Sequence, residues 1–228
     1  MRCLVCHERL AVDIGWSDLF SPPDPDPFCE RCRRKLVRID DDHKCSLCSR
    51  KMDVLTDACE DCERWARHPV YGKVLDKNFA IYEYNDELKE LIKTLKYSGD
   101  YALAGCFQKE MRQTVKKLKG IDLIVPVPLS EQKLKERGFN QTEAFLAEAG
   151  ILFQPFLQRM NDQGRSQAKK NKRDRHTGQN PFKTDEHVRG QSILIVDDLY
   201  TTGTTIRHAA WTLKRAGADR IYSLTIGR

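Results

Sequence analysis

The sequence predicts an α/β fold, a mostly parallel sheet with flanking helices, preceded by a small cysteine-rich module. Two observations carry that expectation. From about Ala80 onward, short apolar strands alternate with amphipathic helices, an order that builds a parallel sheet covered on both faces. Ahead of residue 63 lie eight of the nine cysteines, every one of them in a C-x-x-C pair. With 228 residues the chain accommodates one ordinary α/β core and a small appendage, not two full-size domains. The boundary is expected near 68–78, where His68-Pro69 and Gly72 interrupt any continuing pattern. Residues 1–70 then form the module and 71–228 the main domain.

Residues 79–84 (FAIYEY) read as a strand, and 86–97 (DELKELIKTLKY) as a helix with Leu88, Leu91, Ile92 and Leu95 on one face. A second helix is expected over 101–118, with the lone Cys106 in it as a small buried hydrophobe. Residues 122–127 (DLIVPV) form a short buried strand, 140–149 a helix opened by Asn140, and 151–157 a candidate strand. The polar stretch 158–190 has no apolar period and reads as a flexible arm. Strand 192–197, helix 204–216 ended by Gly217, and strand 220–226 complete the pattern. No internal repeat is visible beyond the four C-x-x-C pairs.

Several classes are excluded early. No stretch approaches the ~18–20 consecutive apolar residues of a spanning helix, so an integral membrane protein is not expected. MRCLVCHERL has no apolar core before its first charges, so a secretory signal is not expected either, which points to the cytoplasm. Compact runs such as ILIV at 193–196 exclude disorder. The formal charge of +6 is unevenly placed: residues 1–70 carry 12 Lys and Arg against 14 Asp and Glu, and 71–228 carry 27 against 19. The basic domain suits phosphates, and the acidic end suits a basic partner.

A C-x-x-C pair presents two sulfurs on one tight turn, and two such turns complete the tetrahedral four-thiolate shell of structural zinc. Cys3, Cys6, Cys29, Cys32, Cys45, Cys48, Cys59 and Cys62 therefore imply two structural Zn²⁺ sites. Disulfides conflict with the missing secretory signal, and a redox motif would use one pair, not four. An iron–sulfur cluster meets the same spacing, because thiolates alone do not name the metal. The simplest partition puts the first four cysteines on one ion and the last four on the other; the spacing leaves an interleaved arrangement open. With no fifth ligand or open position in view, the role is structural, and the module should unfold without metal.

The run Ile193-Leu194-Ile195-Val196-Asp197-Asp198-Leu199-Tyr200 leads into Thr201, Thr202, Gly203, Thr204 and Thr205. An apolar strand ends in two carboxylates, and a hydroxyl- and glycine-rich turn opens a helix. A phosphate there would meet backbone N–H groups, threonine hydroxyls and the positive end of a helix dipole. Gly203 permits close backbone approach, and the acids suit vicinal ribose hydroxyls with outer-sphere Mg²⁺. Neither a Walker A loop nor a G-x-G-x-x-G turn is present. The segment resembles the 5-phosphoribosyl-1-diphosphate (PRPP) loop of type I phosphoribosyltransferases. That resemblance implies a ribose held by Asp197 and Asp198 and a 5′-phosphate held by Thr201–Thr205.

A diphosphate leaving group requires cations. Val125-Pro126-Val127-Pro128-Leu129-Ser130 leaves a strand, and Lys133, Lys135 and Arg137 follow within five residues, then Gly138-Phe139-Asn140-Gln141. Taken together, PVPLS…KERGFNQ, VDDLYTTGTT and the cysteine pairs in front are similar to the ComF family over nearly the whole chain. Further marks are Leu95-Lys96-Tyr97-x-Gly99-Asp100 and the arm Arg159…Ser166-Gln167…Arg173…Phe182. The resemblance implies a phosphoribosyltransferase fold and support for uptake of transforming DNA, in cooperation with a membrane-associated DNA-translocating ATPase. It thereby places the protein at the inner face of the membrane through a partner.

The arm departs from that pattern in its richness in Lys and Arg: residues 159–175 hold seven cations and two acids. A segment there can close over PRPP, or track a single-stranded DNA backbone by counterion release. It lacks interleaved aromatics for base stacking. Two function classes follow. One is a competence protein with a PRPP site, Mg²⁺ accompanying PRPP, and single-stranded DNA contact. The other is a Mg²⁺-dependent phosphoribosyltransferase of nucleotide salvage or modification, whose acceptor no residue in the sequence names.

Overall fold

The computed structural model describes residues 1–10, 27–40, 42–52, 57–160 and 180–228. Two copies of one small unit open the chain. In each, a C-x-x-C turn is closed by the N–H of the residue after the second cysteine. His7 donates to the Cys3 carbonyl at 2.9 Å, and Ser49 to that of Cys45 at 3.0 Å. Both residues take a positive φ, 60° and 63°. The other cysteine pair opens a short helix, α1 (Glu30–Arg34) or α2 (Glu60–Ala66), with Cys29 and Cys59 at the N-cap positions. The repeat thus extends past the C-x-x-C pairs to a knuckle-plus-helix unit used twice.

The main sheet comprises β1 (Lys77–Tyr82), β2 (Leu123–Pro126), β5 (Ser192–Leu199) and β6 (Arg220–Gly227). All are parallel in the order β1-β6-β5-β2. Two further strands, β3 (Gln158–Arg159) and β4 (Phe182–Lys183), form an antiparallel pair at the base of the arm. The helices are α3 (Asp86–Tyr97), α4 (Gln108–Lys117), α5 (Glu131–Arg137), α6 (Gln141–Glu148) and α7 (Thr204–Arg215). Among the described residues no helix is long and apolar enough to cross a membrane.

Strand alternation divides the interior into two cores. Leu194 and Val196 of β5 pack with buried residues of α3, α6 and the 3₁₀ turn Tyr101–Phe107, Cys106 among them. Ile193 and Ile195 face the other way, toward Ile206, Ala209 and Leu213 of α7. Each cysteine unit belongs to one of these cores. The first contributes Cys3, Phe28, Cys32 and Leu36 to the α3/α6 face, with the Phe28 ring edge-on to Phe107 at 6.5 Å. The second packs beside Val74, Leu75, Tyr200 and Ile206 on the α7 face. It is bonded to β1 through the buried Asn78: the Asn78 N–H donates to the Leu47 carbonyl (2.8 Å) and its side-chain amide to that of Cys48 (3.2 Å). The Ser49 hydroxyl returns a bond to the Asn78 carbonyl (2.8 Å).

Several elements differ from the sequence expectation. The first strand begins two residues earlier, at Lys77, and ends at Tyr82. The helix expected over 101–118 opens as a 3₁₀ turn and becomes α-helical only at Gln108; Asp100 supplies no side-chain cap. No strand forms over 151–157: Pro155 has no N–H for a ladder, and Gln154 alone bonds β2, through the Ile124 carbonyl at 2.9 Å. The strand over 192–197 continues to Leu199.

A buried ion pair between Arg33 of α1 and Glu110 of α4 ties the first unit to the domain. The Glu110 side chain is 5% exposed, so removing its partner strands a charge. Arg33→Met is expected to lower stability by about 3 kcal/mol, and Arg33→Met/Glu110→Leu to recover most of that loss. Denaturant melts of both variants check this; a single variant as stable as the wild type would contradict it.

Candidate functional site

The eight paired cysteines gather as two groups, Cys3/Cys6/Cys29/Cys32 and Cys45/Cys48/Cys59/Cys62, each with its sulfurs within 4.8 Å of one another and no disulfide. Four sulfurs held ~2.3 Å from a tetrahedral ion lie about 3.8 Å apart. The shortest contacts fit: Cys6 to Cys29 and Cys48 to Cys59 are both 3.6 Å. The thiols cannot ionise independently at that spacing. Burial pushes the Cys3 thiol up, but N–H donors from Cys29, Cys6 and Val5 outweigh it and draw it down to about 6. Burial, then the thiol of Cys29, drives Cys32 up. In the second group Cys45 is lowered by Cys48 and Cys62, while Cys62 is raised by Cys45 and Cys48. A cation removes that competition, and an all-sulfur donor set suits zinc. Chelation should therefore release two ions per chain. If it removes even ~3 kcal/mol of stability, the unfolding midpoint falls by about 6–12 °C. Recovery of one ion, or none, would count against paired sites.

Both carboxylates lie inside β5, Asp197 opposite Thr225 of β6, and the Asp198 carboxylate stays close enough to act on that of Asp197. Asp198 meets Lys96, from the end of α3, in a close ion pair; the two side chains are 16% and 19% exposed. Burial pushes the Asp197 carboxyl well above the usual carboxylate range, and the Asp198 charge adds to it. The Asp198 N–H, 2.9 Å from Oδ1 of Asp197, and the Lys96 charge oppose the shift.

The threonine loop follows directly. Gly203 has φ 81° and sits against the Tyr200 ring, where an added Cβ would lie 2.3 Å from the phenol oxygen. Thr201, Thr202, Thr204 and Thr205 are exposed while Gly203 is buried, so the hydroxyls face outward. The Thr202 and Thr204 hydroxyls are 3.0 Å apart, and the Thr204 N–H donates to the former at 3.4 Å. On the inner side the loop carbonyls are bonded to side chains: Arg228 Nη1 donates to Tyr200 (3.2 Å) and Thr201 (2.7 Å), and Trp65 Nε1 to Thr202 (2.7 Å).

Beside β5 runs β2, and its exit leads to the basic segment, which is not a loop. Ser130 caps α5 through the Lys133 N–H, and Gly138, at φ 80°, ends it. A helix places Lys133 and Arg137 on one side and turns Lys135 away from them. Lys133 and Lys135 are exposed. Arg137 lies 5.7 Å over the Tyr97 ring, next to Lys96, and donates to the Gln141 side chain at 2.8 Å. The exits of β5 and β2 thus lie side by side at the carboxyl edge of the sheet, where open α/β folds bind ligands. Sequence reading gave Lys96, Trp65 and Arg228 no role. Lys96 stood in a recognised run, LKYSGD, but neither Trp65 nor Arg228 carries a motif. Of the arm cations Arg159 is described, 5.5 Å over the Phe182 ring. Arg165, Lys169, Lys170, Lys172, Arg173 and Arg175 lie outside the described residues.

Two substitutions test this geometry. Gly203→Ala forces a left-handed alanine, about 1–2 kcal/mol unfavourable before the clash with Tyr200 is added; a denaturant melt measures the loss. A carboxyl whose folded pKa is raised destabilises the fold as pH climbs from the ordinary carboxylate range through the raised value. Asp197→Asn is therefore expected to raise the unfolding midpoint at pH 8 and leave it nearly unchanged at pH 4. A midpoint lowered equally at both would refute the burial effect.

A family model described as "Phosphoribosyl transferase domain" matches residues 157–226, which span β5, the threonine loop, α7 and β6. Competence protein ComFC of Bacillus subtilis is 35% identical over 99% of this chain and 94% of its own length. Competence protein ComFC of Streptococcus pneumoniae is 29% identical over the full length of both. DNA utilization protein YhgH of Escherichia coli is 29% identical over 78% of this chain and 86% of its own. Cysteine units, parallel sheet and threonine loop all fall within the span shared with the first two, and the chain belongs to the ComF family, with ComFC.

Proposed function

We propose that the chain is a competence protein whose phosphoribosyltransferase-type site binds PRPP with its Mg²⁺, and that it contacts single-stranded DNA during uptake. The observation that carries the site is the threonine loop. It joins a buried, lysine-paired carboxylate strand to the first turn of α7, with outward hydroxyls on one side and pinned carbonyls on the other. Thr201–Thr205 hold the 5′-phosphate at the helix N-terminus. Asp197 and Asp198 orient the ribose hydroxyls. Lys133 and Arg137, on one side of α5, receive the diphosphate, with Lys135 adding field. Where transfer follows, the bond from ribose C1 to diphosphate oxygen breaks, its electron pair leaves on the diphosphate, and a bond to the acceptor forms. The relatives' names, competence protein and DNA utilization protein, support the biological role.

Calorimetric titration of PRPP·Mg²⁺ is the direct test: saturable binding to the wild type, reduced at least about tenfold in Asp197→Asn/Asp198→Asn, is expected. Undiminished binding in that variant would dismiss the assignment. Single-stranded DNA affinity measured against salt concentration should show a steep slope that flattens when the seven cations of 159–175 are neutralised. Consumption of PRPP independent of DNA would favour the salvage or modification reading.

A further inference from the structure

The side chain of Arg228, immediately after β6, is 5% exposed and holds two structures at once. Its Nη2 donates to the sulfur of Cys48 at 3.3 Å, and its Nη1 donates to the Tyr200 and Thr201 carbonyls of the phosphate loop. The guanidinium lies 5.0 Å over the Tyr200 ring, whose hydroxyl borders Gly203. From the same cysteine unit, Trp65 of α2 donates to the Thr202 carbonyl. Three successive loop carbonyls are therefore drawn toward the Cys45/Cys48/Cys59/Cys62 group.

The consequence follows from peptide geometry. Every described peptide bond is trans, and in a trans peptide the carbonyl of one residue and the N–H of the next point in opposite directions. Carbonyls of Tyr200, Thr201 and Thr202 held inward turn the N–H groups of Thr201, Thr202 and Gly203 outward, as a concave row of donors suited to a phosphate. Arginine fits the inner post because its planar fork donates in several directions at once; a lysine is a point charge and cannot hold sulfur and carbonyls in one plane.

We propose that the second cysteine group is a positioning element of the phosphate site: Arg228 and Trp65 carry its state to the loop, so that metal occupancy and phosphate affinity are coupled. The proposal rests on the PRPP reading above only for its ligand. By linkage, phosphate binding must in turn act on the metal centre. A sulfur that accepts a hydrogen bond from Arg228 is a less electron-rich ligand, and the shift is visible when Co²⁺ replaces zinc.

The full-length protein, loaded with Co²⁺, is titrated with PRPP·Mg²⁺ while thiolate-to-cobalt absorption is followed; Arg228→Gln, Arg228→Lys and Trp65→Phe are compared. The wild type should show a band shift on saturation. Both Arg228 variants should lose that shift, bind PRPP about tenfold or more weakly, and retain both ions; Trp65→Phe, which removes only the indole N–H, should fall between. Amide ¹⁵N order parameters without ligand supply the independent readout: those of Thr201, Thr202 and Gly203 should fall in Arg228→Gln and after loss of the second ion. Equal PRPP affinity and equal order parameters in the Arg228 variants would overturn the coupling while leaving the PRPP site intact. Altered order parameters with no PRPP binding by the wild type would instead remove the PRPP assignment and leave the coupling standing. Should Arg228→Gln fold poorly, Trp65→Phe alone decides: an unchanged order parameter at Gly203 refutes the arrangement.

Discussion

Neither face of a parallel sheet of branched aliphatic strands can be left in water. Here the α3/α6 core covers one face, but among the described residues α7 is the only helix outside the cysteine units that packs on the other. The second cysteine unit supplies the missing cover, and it does so with backbone bonds as well as apolar area, through Leu47, Cys48, Ser49 and Asn78. A knuckle of this size holds its shape only when its four thiolates are gathered. Metal binding by the Cys45/Cys48/Cys59/Cys62 group would therefore be coupled to completion of the sheet. The first unit is bound through the Phe28 ring and the buried Arg33–Glu110 pair, and the segment after it by backbone bonds from Ile39 to Ile81 and from Glu83 to Val37.

That arrangement governs the site. The threonine loop has to present N–H groups outward, and a loop with unpinned carbonyls would sample many peptide orientations at an entropic cost on binding. The sheet holds the loop at Tyr200, whose N–H donates to the Gly227 carbonyl at 3.0 Å; Arg228, just past β6, holds the Tyr200 and Thr201 carbonyls, and Trp65 of the second unit holds that of Thr202. Lys96, from the α3 side, keeps Asp198 in charge balance, so the carboxyl edge of the sheet is organised from both cores.

Much of this was legible in the sequence because it is local. The apolar run 193–196, the acids, Gly203 and the threonines are contiguous, and the four C-x-x-C pairs declare their chemistry by spacing. What was not legible depends on pairings across the chain or on the shape of an element. Arg228 meets Cys48 across 180 residues, and Trp65 meets Thr202 across 137; no period links them. The strand was expected to end at the first acid, but it runs through both and on to Leu199. Three cations within five residues look like one patch, yet helix α5 turns Lys135 away from the other two. The strand expected at 151–157 failed on Pro155, whose missing N–H weighed more than the apolar pattern.

Electrostatics explains why an arginine stands beside the neutral indole of Trp65 in holding the loop. Four thiolates around a divalent ion carry a net double negative charge, and in the second unit that charge would sit directly behind a loop meant to receive a phosphate. Two buried cations stand there: Arg228, bonded to both the sulfur and the loop, and Arg207 of α7, 4% exposed and 5.1 Å over the Trp65 ring. In so dry a position a charge acts with less screening than the exposed lysines of the surface. The formal +6 of the sequence therefore says little about how an anion is recognised. Eight thiolates and two divalent ions would subtract four from it, and the side chains of two cations, Arg228 and Arg207, are buried beside the threonine loop.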